Sequence, residues 1–207
     1  MEIEKTALVL IGYQNDYFSE DGVLRAVIDE PARTDKVLSR TLALIDTVKN
    51  TPVVLITTPI VFTQDYSELV EPEGILKAIK EAGAFKRGTK GSETIPELVA
   101  LGDRIVEVPG KRGLNAFSNT NLHTILQENG VTDICLAGAV TSVCIESTGR
   151  SAFEKDYHVH ILRDCTAGRS EFEESFYCDS IFPLYADVLD SSELLSRLGL
   201  TPALSHA

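Results

Sequence analysis

The chain has no apolar run long enough to cross a bilayer, no Cys-x-x-Cys pair and a minority of basic residues, and each shortage removes a class of function. A spanning helix needs about 20 consecutive apolar residues, so no membrane partner is expected. Lys and Arg number 19 against 31 Asp and Glu, a formal net charge of −12. A surface of that sign repels phosphate backbones and anionic lipid, which argues against nucleic-acid partners. The N-terminal run Met1-Glu2-Ile3-Glu4-Lys5 is charged and passes directly into a strand-like segment, so no signal peptide is expected. Without paired spacing, Cys135, Cys144, Cys165 and Cys178 read as reduced thiols of a cytoplasmic protein. Cys135 and Cys165 lie in strand-like runs and Cys178 in a helix-like one, and all three read as packing residues. Histidine is scarce too: His123, His158, His160 and His206. His158 and His160 share a strand face, but no third ligand lies near them, so neither a metal nor another cofactor is expected.

What is present is an ordinary globular composition. The chain has 207 residues, 43% of them hydrophobic, enough for one domain spanning 1–207 with a real core. Strand-like runs are expected at Ala7–Ile11, Val53–Thr57, Arg104–Val108, Asp133–Ala137, His158–Arg163 and Ala186–Leu189. Helix-like segments are expected at Arg33–Lys49, Gly74–Glu81, Asn121–Glu128, Ser142–Lys155, Glu171–Phe182 and Ser192–Leu198. Strands apolar on both faces, alternating with helices, predict a three-layer α/β/α Rossmann-like fold with a mostly parallel, six-stranded sheet. In such a sheet, sites form beyond the C-terminal ends of the strands. The stretch Tyr66–Ser92 is the least regular and is expected to border or cover the site. Within it, Ser92 and Glu93 read either as pocket residues or, preferably, as the cap and first turn of a short helix near Pro96.

Three segments follow strands and can meet at one sheet edge: Gly12-Tyr13-Gln14-Asn15-Asp16-Tyr17-Phe18, Lys111-Arg112-Gly113-Leu114-Asn115-Ala116-Phe117, and Val140–Cys144. Cys144 falls in the first turn of a helix, with Thr141 or Ser142 as the expected cap. Free N–H groups and the positive end of the helix dipole there favour thiolate and offer donors to an oxyanion. Taken alone, a lone cysteine is more often a packing residue and a lysine a surface one.

The motifs tip that balance. Q-N-D-Y-F, K-R-G-L-N-A-F and G-A-V-T-S-V-C-I occur in order, with Thr148 and Ala152 following Cys144 and Asp164 following the fifth strand. In this the chain resembles the isochorismatase-like cysteine hydrolases, which include nicotinamidases, N-carbamoyl amide hydrolases and isochorismatases. The resemblance covers nearly the whole chain. It implies that Cys144 attacks a carbonyl to form a thioester, that Lys111 stabilises developing negative charge, and that the N–H groups of Val140 and Cys144 hold the oxyanion. It also implies a cis peptide at Ala139–Val140, a small-molecule substrate and a homodimer or homotetramer. The nicotinamidase metal site is not expected, because Thr57–Tyr66 contains no histidine.

One departure stands out. The family's first strand ends in D-x-Q-N-D-F, and its proton-shuttling aspartate falls here on Gly12. General acid–base help is worth about 10²–10⁴-fold. Either another carboxylate substitutes (Asp16, Asp21 or Glu93), or the substrate brings a base into the space Gly12 leaves, or the protein is a pseudoenzyme that binds a ligand without turning it over. Asp16 also reads as a turn-holding residue. Vinyl-ether cleavage is disfavoured, because it uses the same aspartate as acid. Tyr17, Phe18 and Phe117 read equally as pocket walls and as core.

Overall fold

The computed structural model describes residues 1–28 and 30–201. Thr6–Ile11 (β1) is buried at every position, the mark of a strand covered on both faces. Its neighbours are Val54–Thr58 (β2) and Asp133–Ala139 (β4). Ile105–Glu107 (β3), His158–Ala167 (β5) and Asp187–Leu189 (β6) complete a six-stranded sheet of order β3-β2-β1-β4-β5-β6. Every pairing is parallel.

Alternate residues of each strand feed opposite layers. Leu8, Leu10 and Leu55 join one apolar cluster, while Ala7, Val9, Ile11 and Ile56 join the other. The first cluster is closed by the helix Pro31–Val48 (α2), whose buried Thr34, Val37, Thr41, Leu44, Ile45 and Val48 recur every three to four residues. The helices Gly74–Ala82 (α3), Leu122–Glu128 (α5) and Ser191–Arg197 (α8) begin and end within a residue of the expected segments.

Several boundaries differ from expectation. β5 runs to Ala167, four residues past Arg163, with its register against β4 shifted between Leu136 and Gly138. Ser142–Lys155 opens instead as a π-helical turn, Thr141–Ile145, before the α-helix Glu146–Phe153 (α6). Glu171–Phe182 is broken into an α-helix, Glu171–Phe176 (α7), and a second π turn at Tyr177–Ile181, followed by a 3-10 turn around Pro183. The short helix expected near Pro96 is Pro96–Val99 (α4), while a second, Asn15–Phe18 (α1), is too brief for periodicity to reveal. Ser92 ends a 3-10 turn and Glu93 lies outside any helix; the residue before α4 is Ile95, which supplies no side-chain cap.

The strand order places a topological switch between β1 and β4. From β1 the chain proceeds outward through β2 to β3, then returns to the other side of β1. Such a sheet opens a crevice beyond the C-terminal ends of the two switch strands. Here those ends approach closely because of Gly138: a Cβ on it would lie 1.9 Å from the Ile11 carbonyl oxygen. No helix among the described residues is long and apolar enough to cross a membrane.

Candidate active site

Gly12 and Val140 occupy the switch point, directly after β1 and β4. The Ala139–Val140 peptide is cis. The Val140 carbonyl then accepts from the N–H groups of Val143, Cys144 and Ile145, at 3.1, 3.0 and 3.3 Å, and so winds the chain into the π turn that carries Cys144. The Cys144 N–H, one of the two expected oxyanion donors, is thus one of three sharing a single carbonyl. Neither expected cap is formed. Thr141 Oγ1 instead pairs with Thr166 Oγ1 at 2.9 Å, and Ser142 Oγ donates to Glu173 Oε1 at 2.5 Å. Both hydroxyls therefore tie the turn that carries Cys144 to β5 and α7, and do not close the turn's own end.

Lys111 enters from the loop after β3, where Ile60 and Lys111 form an isolated parallel bridge. Its side chain is fully buried. The Nζ donates to the Gly113 carbonyl at 2.8 Å and lies 3.7 Å from Cys144 Sγ. Burial pushes the Lys111 amine down from its ordinary range, and the adjacent Cys144 pulls the other way. The motif's alanine explains how this loop is held: the Ala116 N–H donates to Thr148 Oγ1 on α6 at 3.0 Å, joining the lysine loop to the helix after Cys144.

The Q-N-D triplet is a set of clamps. Gln14 Nε2 donates to the carbonyls of Ile60 and Ser92, and its Oε1 accepts from the Ile60 N–H. Asn15 Nδ2 donates to Lys90 O. Asp16 Oδ2 accepts from the Phe85 N–H at 2.6 Å. Burial raises the Asp16 carboxyl from its usual range, against the lowering effect of the Phe85 and Val23 N–H groups. Its carboxylate thus faces the 83–91 loop and holds a turn. Asp21 is exposed and paired with Lys90 at 3.0 Å, and Glu93 is exposed.

Gly12 leaves no vacancy. Its φ is +75°, and a Cβ built there would meet the Ala139 carbonyl oxygen at 2.8 Å and the Tyr17 ring at 3.4 Å. The space beside Gly12 where a substrate's own base was expected is bounded by the Ala139 carbonyl and the Tyr17 ring. Burial, and then the electrostatic influence of Cys144, push the Tyr17 phenol well above its ordinary range. Phe18 stacks on Tyr13 with centroids 4.7 Å apart, and Phe117 lies in an aromatic group with His123 and Tyr157. Both are core contacts. The other cysteines are buried and free, and burial raises all three thiols, Cys178 to about 12.

One polar group near the site carried no motif. Thr58, the last residue of β2, pairs in register with Ile11, and its buried Oγ1 has no hydrogen-bond partner. Polar β-branched residues ending a buried strand were the available signal. Among the described residues no three His, Cys, Asp or Glu side chains converge as metal ligands. A cavity of about 740 Å³ opens at the other end of the sheet, lined by His158, His160 and Tyr185 among others. The thiol–amine pair is remote from it, and chemistry ranks that pair first.

The isochorismatase domain model matches residues 6–193. The chain belongs to the isochorismatase family. It is accordingly a hydrolase-family enzyme, and the resemblance read from its motifs holds. Nicotinamidase 3 of Arabidopsis thaliana is 30% identical over 138 residues, 65% of this chain and 66% of that one. The ureidoacrylate amidohydrolase RutB of Azorhizobium caulinodans is 26% identical over 79% of this chain and 77% of its own. A crystal structure of a cysteine hydrolase from Pseudomonas syringae pv. phaseolicola superposes with a TM-score of 0.83 at 22% identity, covering 96% of this chain and 94% of that one. This last likeness bears on the isochorismatase fold.

Proposed function

We propose that the protein cleaves a small-molecule amide or carbamoyl bond through a thioester on Cys144. The observation that carries this reading is the buried approach of Lys111 Nζ to Cys144 Sγ at 3.7 Å, at the switch point of the sheet. An amine beside a thiol stabilises the thiolate, which is the nucleophilic form. Attack on the carbonyl forms a tetrahedral oxyanion, for which the donors are the Val140 N–H and the Cys144 N–H, the latter shared with the Val140 carbonyl. Collapse expels the amine and leaves the thioester, and water then releases the acid. Tyr17 forms one wall beside Gly12, and the unpartnered Thr58 hydroxyl offers a polar contact to substrate. The nicotinamidase and amidohydrolase names of the relatives support a working enzyme over a silent binding protein. The reading includes a cytoplasmic setting and a homo-oligomer, the latter supported by the exposed Phe172 and Leu184.

The test is an intact-mass time course with amides, carbamates and activated esters, run beside Cys144→Ala. An adduct on Cys144 that forms and decays, with turnover lost by at least about 10³-fold in the variant, is expected. Turnover that survives in Cys144→Ala would refute the thioester.

A further inference from the structure

Among the described residues no carboxylate pairs with Lys111 or Cys144. Gly12 has none, Asp16 is turned to the Phe85 N–H, and Asp21 and Glu93 are exposed. Among the described residues Lys111 forms no ion pair with Asp or Glu; its recorded partners are the Gly113 carbonyl and Cys144 Sγ. Resting on the reading of Cys144 as nucleophile, we infer that Lys111 is itself the proton carrier of the reaction, so that Cys144 and Lys111 form a complete catalytic dyad.

The physical reason is the burial of the lysine. An ammonium in a fully buried site without a carboxylate pays a large desolvation cost. It can lower that cost only by pairing with the Cys144 thiolate or by giving up its proton. Either state serves catalysis, because one proton is shared between S and N. Its other neighbours leave the exchange to the pair. Tyr17 is held protonated by burial and by Cys144. Arg112, next in the chain, turns to Glu68 at 3.1 Å. The Gly113 carbonyl fixes the Nζ position while its lone pair or remaining N–H stays directed to sulfur.

The cycle balances with these two groups and water. The S–H proton passes to Nζ, and sulfur bonds to the substrate carbonyl carbon. The C–N bond breaks while Lys111 ammonium protonates the departing nitrogen, giving a free amine and a neutral lysine. Lys111 then takes a proton from water as the oxygen attacks the thioester. The C–S bond breaks, the acid departs, and the proton returns to the Cys144–Lys111 pair.

The test compares a p-nitroanilide with the p-nitrophenyl ester of the same acyl group, using full-length wild type, Lys111→Ala, Lys111→Met and Lys111→Arg. Departing p-nitrophenolate needs no proton, whereas the anilide nitrogen does. Anilide cleavage is expected to fall by about 10²–10⁴-fold in Lys111→Ala, ester acylation by markedly less, and added alkylamines should restore the anilide rate in order of basicity. Lys111→Met, which fills the buried space without a charge, should show the same substrate split. Lys111→Arg keeps the charge but cannot release a proton, so it should stay defective on the anilide. Equal losses on both substrates, or full activity in Lys111→Arg, would overturn the inference. A wild-type protein that forms no Cys144 adduct with either substrate would instead refute the nucleophile reading, a distinct result.

Discussion

At the residue scale, Gly12 decides the most. An aspartate there would have to adopt a φ of +75° with its Cβ 2.8 Å from the Ala139 carbonyl oxygen, which costs about 1–3 kcal/mol. Gly12→Asp should therefore lower stability by that amount in urea unfolding and yield no gain in amide hydrolysis, the reverse of what the motif alone suggests. Unchanged stability with increased turnover would show that the backbone relaxes to admit the carboxylate. Asp16 carries a pH signature. Its folded pKa is raised, so the folded state binds the proton more tightly than the unfolded one, and stability falls as pH rises from about 4 through the folded value. Asp16→Asn should remove that decline, seen as a melting-temperature difference that shifts in favour of the variant across this window. A difference that stays flat with pH would argue that Asp16 does not titrate differently on folding. Thr58→Val should be neutral or slightly stabilising, since it deletes a buried hydroxyl without a partner. A raised KM with unchanged melting would mark Thr58 as a substrate contact.

At the element scale, the site is an arrangement of loops braced from a distance. Gln14 links the end of β1 to Ile60 and Ser92, residues 46 and 78 positions away. Thr148 joins α6 to the lysine loop. Thr148→Val leaves the Ala116 N–H buried and unpaired, a cost of about 1–3 kcal/mol. It should also reduce amide turnover while Cys144 still reacts with iodoacetamide. Equal loss of both would mean that the whole π turn has moved. The turn itself follows from one carbonyl, Val140 O, serving three donors, while the expected capping hydroxyls are spent on Thr166 and Glu173.

For the whole molecule, the net charge of −12 opposes compaction. Raising salt from about 0.01 M to 0.3 M shortens the screening length from about 30 Å to below 10 Å, so the melting temperature should rise. A fall would mean that surface pairs such as Arg197–Asp187 and Arg25–Asp35 contribute more than the self-repulsion. The fold organises these charges around a sheet whose switch point holds uncharged walls and one buried amine.

The sheet and the meeting of Cys144 with Lys111 were legible in the chain. Burial on both faces writes itself as apolar runs such as Ala7–Ile11, and short motifs directly after strands place Cys144 and Lys111 at one edge, because parallel strands bring their C-terminal ends together. Local hydrogen-bond traffic was not legible. Whether Thr141 caps a turn or pairs with Thr166, and whether Asp16 faces sulfur or the Phe85 N–H, depends on partners 25 and 69 residues away. The sequence also could not tell whether Gly12 leaves room. That depended on where Tyr17 and the Ala139 carbonyl come to rest, which close packing between two neighbouring strands far apart in sequence, β1 and β4, decides.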